Sequence, residues 1–261
     1  MSNHWYDRHG NPCYTVIGKN GKERDTTLAD ARRLQLVPSV TTILDVLNKP
    51  ALSDWKVKQG IMAALTLPRL DGEDDERFIS RVVNDSKQQA IQAAEEGNRI
   101  HAAIEEYFRH GWVGDRYLTH AVSVSNLLSK EFPDVDDWIP EASFASPLGY
   151  GGKVDLHSPS TGIVVDFKTK DFGPGDNKKL AYDQHYQLAA YQAGLMDDMI
   201  GLERCANIFV SRTHPGHAEI YVWTKEQIDD GWRVFASALA CWQAIKGYVP
   251  DLRELRREES V

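Results

Sequence analysis

Apolar positions change their rhythm near residue 141. Before it they recur mostly at three- and four-residue spacings, as on helices; after it come short apolar runs bounded by turn formers, as in strands. At the start, Trp5-Tyr6, a turn at Arg8-His9-Gly10-Asn11-Pro12, the run Tyr14–Ile17 and Lys19-Asn20-Gly21-Lys22 predict a small hairpin within residues 5–24. The Asn-Gly pair suits a tight turn. A helix is predicted from about Thr27 to Leu34. A second is predicted in Pro38-Ser39-Val40-Thr41-Thr42-Ile43-Leu44, with Ser39 as its N-cap. Asp71–Glu76 is an acidic patch, read as a solvated loop or helix start. A long helical segment follows from about Glu76 to Arg109, with Gly97 a point of interruption, and another helix over 115–130.

Beyond residue 141 the segments Ala142–Ser146, Tyr150–His157 and Gly162–Lys168 read as three consecutive strands. A helix at about 180–197, strands at 206–211 and 218–223 and a terminal helix at about 225–246 complete the pattern. The order from Gly97 onward is helix, three strands, helix, strand. There are no internal repeats and no low-complexity linker. The simplest architecture is one mixed α/β domain over 76–261 with a hairpin and helical addition over 1–75.

Composition narrows the classes. Hydrophobic residues make up 42% and charged residues 26%, ordinary for a soluble globular protein. No apolar run reaches the roughly 20 residues that span a bilayer. The polar, aromatic start MSNHWYDRHG is unlike a secretion signal, so a cytoplasmic protein without membrane contact is expected. Cys13, Cys205 and Cys241 are odd in number and far apart, which reads as reduced thiols. A net charge of −8 disfavours binding nucleic acid through one broad basic surface. It leaves room for a narrow basic groove, and carboxylates gathered around a metal would themselves lower the net charge.

Chemistry concentrates in Gly152-Lys153-Val154-Asp155 and Val164-Val165-Asp166-Phe167-Lys168. Ser158-Pro159-Ser160-Thr161-Gly162 between them is rich in turn formers, so the flanking strands should form an antiparallel hairpin. Centred between Ser160 and Thr161, that hairpin sets Asp155 opposite Asp166, with paired side chains about 5 Å apart. Lys168, two residues on, shares the face of Asp166. Facing carboxylates repel one another unless a cation lies between them, and carboxylates with water and phosphate oxygen are preferred Mg²⁺ ligands. Lys168 beside such an ion would orient or deprotonate a water, or neutralise a phosphate under attack. The alternative is an incidental Asp–Lys pair on an exposed sheet face; the apolar run around Asp166, which marks a central strand, argues against it.

Two helix faces supply further candidates. Gly97, His101 and Glu105 are four residues apart on one face. Gly97 would allow close packing on the sheet, His101 could ligate a metal, and Glu105 could hold His101 or a nearby water. His101 could equally be a packed or surface histidine. On the later helix, Gln187 could bond a metal-bound water or the neighbourhood of Lys168, and Tyr191 could line a groove, or both could anchor the helix to the sheet.

Taken in order, Gly-x-x-x-His with Glu four residues on, Glu141, Gly-x-x-Asp, Asp-x-Lys and Gln-x-x-x-Tyr resemble the RecB-like branch of the PD-(D/E)XK nuclease superfamily, over residues 97–191. Pro38–Leu44, with Leu52 and Trp55, is similar to a segment of phage nucleases and of the mitochondrial genome maintenance exonuclease. The resemblance implies a restriction-endonuclease-like core and a DNA exonuclease acting on single strands or free ends, in phage-type replication, recombination or repair within a host cytoplasm. A structure-specific endonuclease and a non-cutting DNA-binding protein of the same fold are the alternatives. It implies Mg²⁺, with Mn²⁺ substituting, held by His101, Asp155, Asp166 and the Phe167 carbonyl, with Lys168 catalytic and Glu141 and Gln187 assisting. By the same likeness Ser39, Thr41 and Thr42 border the DNA path; they could hold a phosphate or merely cap their helix. Three scattered cysteines cannot supply the four that bind the iron–sulfur cluster of several relatives, so none is expected. No G-x-x-x-x-G-K-[ST] loop is present, so unwinding would need a separate helicase. A recombinase or single-strand-binding protein is the other candidate partner.

Overall fold

The computed structural model describes residues 4–48, 50–177, 180–196 and 204–250. Two short β-ladders lie near the start. β1 (Trp5–Tyr6) pairs with β4 (Val37–Pro38), and β2 (Thr15–Ile17) with β3 (Glu23–Asp25). The Asn20-Gly21 turn joins β2 to β3, with Gly21 at φ 73°. The hairpin expected over 5–24 is therefore divided: Trp5 and Tyr6 leave it for a strand thirty residues downstream, which buries both rings. Between β3 and β4 runs α1 (Leu28–Leu34), closed at its start by a reciprocal Thr27–Asp30 capping box. α2 (Val40–Leu44) follows β4, with Ser39 as N-cap.

α3 (Pro50–Thr66) was not evident in the pattern. Its apolar residues are spread around the helix, with Val57, Ile61, Met62 and Leu65 all exposed, so no stripe marks it. It packs against α4 (Asp75–His110), a 36-residue helix capped by Asp74 at its start and by Gly111 in the left-handed region at its end. The acidic patch is thus the helix start, where carboxylates suit the helix dipole. α4 runs through Gly97 without a break. Gly97 instead marks a close approach: a Cβ there would sit 2.5 Å from Thr169 Oγ1. α5 (Asp115–Glu131) turns back along it.

A five-stranded sheet follows in the order β5-β6-β7-β8-β9: β5 (Ile139–Ser146), β6 (Tyr150–His157), β7 (Val164–Lys170), β8 (Cys205–Ser211) and β9 (Ala218–Trp223). All neighbours are antiparallel except β7 and β8, which are parallel and joined through α6 (His185–Leu195). α6 starts later than the expected residue 180, and the expected end at 197 lies outside the described residues. α7 (Lys225–Lys246) closes the architecture behind a Thr224–Gln227 capping box. Among the described residues the fold is a mixed α/β one with a five-stranded mixed sheet and seven helices. No described helix is long and apolar enough to cross a membrane.

The central strands are buried on both faces. Val164 of β7 and Phe209 of β8 join α2, α6 and α7 in one cluster, while Val165, Phe167, Ala206, Ile208 and Val210 join α4 and α5 in another. That alternation aims Asp166, Lys168 and Asn207 at the α6 side. The N-terminal elements belong to the first cluster: Trp5, Ala31, Leu36, Val40 and Ile43 pack with Trp242 and Tyr248. The Tyr248 hydroxyl donates to the carbonyls of Ala31 and Leu36 at 3.0 and 2.8 Å.

Candidate active site

The β6–β7 hairpin pairs Leu156 with Val165 and His157 with Val164, the register in which position 155 falls opposite 166. The ladder between the two strands stops there. Beyond it, Asp155 Oδ2 accepts the Phe167 amide at 2.7 Å, so a carboxylate stands where a ladder carbonyl would. Its other oxygen, Oδ1, lies 3.7 Å from His101 Nδ1. His101 reaches it from α4, where Gly97 one turn earlier lets the helix lie close to β7. The His101 ring also meets the Phe167 ring edge-on, 6.0 Å between centroids.

Asp166 is almost fully buried and heavily bonded. Lys168 Nζ lies 2.7 Å from Oδ2 and 2.9 Å from Oδ1. Gln187 on α6 donates to Oδ1 at 3.1 Å, while its own oxygen accepts from Lys168 Nζ at 3.2 Å. Asn207, paired with Asp166 across the parallel ladder, donates to Oδ2 at 2.8 Å and to the Asp166 carbonyl at 3.2 Å. The Trp223 indole donates to Asn207 Oδ1 at 2.8 Å, so every polar atom in this chain of contacts has a partner.

Charge separates the two carboxyls. Burial raises Asp166 above the usual carboxylate range, and the negative charge of Asp155 adds to that, outweighing the attraction of Lys168. Burial also works against the charged form of Asp155, but His101, Lys168 and the Phe167 amide outweigh it and hold that carboxyl below its ordinary value. Lys168 loses hydration yet is held charged by Asp166 and Asp155, its pKa raised. Two carboxylates whose environments push them apart, beside a lysine kept cationic, form the kind of group that catalytic sites assemble.

Other expected residues fall differently. Glu141 lies on β5 between the pairs Pro140–Leu156 and Ala142–Val154, hence across from Asp155, but in a left-handed backbone conformation at φ 60°. Its carboxylate is ion-paired with Lys153. Glu105 pairs with Arg109 at 2.5 Å on the α4 surface and does not hold His101. Tyr191 is buried: its ring meets Phe144 edge-on and its hydroxyl accepts from Gln187 at 2.8 Å. It steadies Gln187 from within the core. Ser39 and Thr42 are buried and bonded to each other at 2.8 Å, which leaves only Thr41 of the three at the surface. The Leu52 side chain lies outside the described residues. Asn207 escaped the sequence reading; its signal was one amide within the otherwise apolar run Cys205–Val210.

The donor set of Asp155, Asp166 and His101 has the hard-oxygen and imidazole chemistry that divalent cations take. Among the described residues no three His, Cys, Asp or Glu side chains converge on one point. Lys168, Gln187 and Asn207 occupy the Asp166 oxygens, with the ammonium in the place a cation would take.

No family model matches the sequence, and no curated protein matches it. Among solved structures, the fold is similar to the crystal structure of SSO0001, at 12% identity and a TM-score of 0.31 over 74% of this chain and 87% of that one. It is also similar to a phage-related exonuclease from Haemophilus somnus 129PT, at 11% identity and a TM-score of 0.29 over 56% of this chain and 80% of that one. Likeness this slight does not place the chain in either protein's family.

Proposed function

We propose that this protein is a divalent-metal-dependent DNA nuclease of the PD-(D/E)XK type, acting as an exonuclease on single-stranded DNA or free ends. The observation that carries the reading is the Asp155–Asp166–Lys168 cluster at a break in the central sheet, with Asp166 buried, Asp155 and Lys168 half-buried, and His101 and Gln187 approaching it. A structural ion pair needs one carboxylate. Here a second is drawn in beside the first, and burial, with the charge of Asp155 adding to it, raises Asp166.

Asp155, Asp166 and His101 would hold Mg²⁺ or Mn²⁺, which when bound supplies an activated water and neutralises charge on the attacked phosphate. Lys168 then leaves its bond to Asp166 for an oxygen of the phosphate or the water, and Gln187 keeps its ammonium aimed there. Asn207 fixes the Asp166 carboxylate through Oδ2, and the Phe167 amide fixes Asp155.

The saturation of Asp166 by Lys168, Gln187 and Asn207 favours a second reading, a nuclease-fold protein that binds DNA without cutting it. End-labelled single- and double-stranded linear DNA, incubated with protein and Mg²⁺, Mn²⁺ or EDTA, separates the two. Metal-dependent shortening is expected, with loss of at least about a hundredfold in Asp166→Asn and Lys168→Ala. Cutting that persists in both variants removes the site assignment; DNA binding without any cutting selects the second reading.

A further inference from the structure

The cleft between α2 and α6 opens next to Gln187 and holds a cavity of about 190 Å³. Leu44, Leu47 and the Tyr186 ring form its apolar walls. Thr41, Asp183, Gln184 and Gln187 are its other polar lining residues. We propose that this cavity takes one unpaired base of a single-stranded DNA, with a preference for bases that carry an exocyclic amino group. The proposal rests on the nuclease reading for the neighbouring phosphate at Asp166 and Lys168, and on the cavity alone for the base.

Four observations lead there. First, Gln187 belongs to both places: it lines the cavity, and its amide bonds Lys168 and Asp166. A group filling the cavity lies one side chain from the carboxylates. Second, apolar walls, one aromatic ring and a few polar points suit a flat heterocycle. The volume is below the roughly 300–1,000 Å³ of pockets for drug-sized ligands, enough for one ring system rather than a run of nucleotides.

Third, the charge of the lining disfavours a phosphate there, although Lys170 lies within electrostatic reach of Asp183. The described lining contains no Lys or Arg, and its only formal charge is the Asp183 carboxylate, on an exposed residue. A carboxylate repels phosphate and accepts hydrogen bonds from the amino group of cytosine, adenine or guanine; thymine has no amino group and only its ring N3–H to donate. Fourth, Thr41 is exposed and lines the cavity while Ser39 and Thr42 are buried; its hydroxyl is bonded to Ser39 at 3.0 Å and, as both donor and acceptor, can take one further partner. A base can enter such a recess only when it is free of a duplex.

Titration of the full chain, with leucine methyls labelled for NMR, tests this without cleavage. The probes are deoxycytidine, deoxyadenosine, thymidine and 2-deoxyribose 5-phosphate. Deoxycytidine and deoxyadenosine should move the Leu44 and Leu47 methyls, thymidine should bind more weakly, and the sugar phosphate should leave them still. Leu47→Trp, which fills the cavity, should abolish the Leu44 response. Asp183→Ala, at an exposed position, should weaken deoxycytidine on the order of tenfold and thymidine less than twofold. Methyls that stay still with every nucleoside, or move equally with the sugar phosphate, overturn the proposal. A protein that cuts DNA with unmoved methyls loses only the base site. One that binds nucleosides but cuts nothing keeps the site and loses the nuclease reading.

Discussion

Asp166 is gripped from three directions, by Lys168 along its own strand, Gln187 from the helix above and Asn207 from the next strand, which Trp223 holds in turn. Asn207→Ala removes a donor from a buried carboxylate and orphans a buried indole. It should destabilise the fold by about 1–3 kcal/mol in urea unfolding. Gln187→Ala leaves both carboxylates and the Lys168–Asp166 pair in place but removes one partner of Lys168, and should lower cleavage by about 10–100-fold while costing less stability than Asn207→Ala. A loss of stability as large as that of Asn207→Ala would show instead that Gln187 only packs. Asp155, Asp166 and Lys168 were legible in the sequence because strand period and turn chemistry fix which side chains face each other. The neighbours of Glu105 and Ser39 were not. Spacing on a helix shows which residues share a face, but not that Arg109, four residues on, competes for Glu105 more closely than His101 does.

Among the elements, Thr27, Ser39 and Thr224 cap helices that were readable and Asn20-Gly21 marks its turn, while α5 was read as well without a side-chain cap. α3 lacks an apolar stripe and rests on α4, so nothing local marked it. β1 could not be assigned its partner, because pairing across thirty residues is decided by the burial of Trp5 and Tyr6 rather than by a turn. Gly97 is where two elements depend on one missing methyl. Gly97→Ala suits the helix locally, yet its Cβ would meet Thr169 Oγ1 at 2.5 Å and press α4 off β7. The variant should lose about 1–3 kcal/mol of stability in urea and, because His101 rides on α4, lose cleavage as well. Thr169→Ala in the same chain should restore both; failure to restore either would disconnect the glycine from the site.

Across the molecule, several imidazoles are buried where few charges help them. Burial is the main cause that lowers the pKa of His120, His157 and His185 below the ordinary 6.5. Each is neutral in the folded chain and regains its ordinary value on unfolding, so between its folded pKa and 6.5 the unfolded chain binds more protons. Stability should therefore hold above about pH 6.5 and fall steadily as pH drops below it. Urea midpoints at pH 7.5, 6.0 and 5.0 would show the decline, with a shallower slope in His120→Phe; an unchanged slope would take His120 out of the account. Because Lys168 already neutralises Asp166, chelation should abolish cleavage without shifting the melting temperature, unlike a fold that a metal holds together.

The packing of Trp5 against Trp242 and Tyr248 fixes when the protein can finish folding as it is made. A ribosome delivers Trp5 more than two hundred residues before the rings that cover it, so β1, α1 and β4 leave the exit tunnel with their apolar sides still uncovered. The β6–β7 hairpin also emerges before α6 and β8 bring Gln187 and Asn207 to it. Translation therefore completes the Asp155–Asp166–Lys168 cluster only after β8 and the N-terminal packing only after Tyr248, and a nascent chain halted before Trp242 carries the carboxylates without that packing.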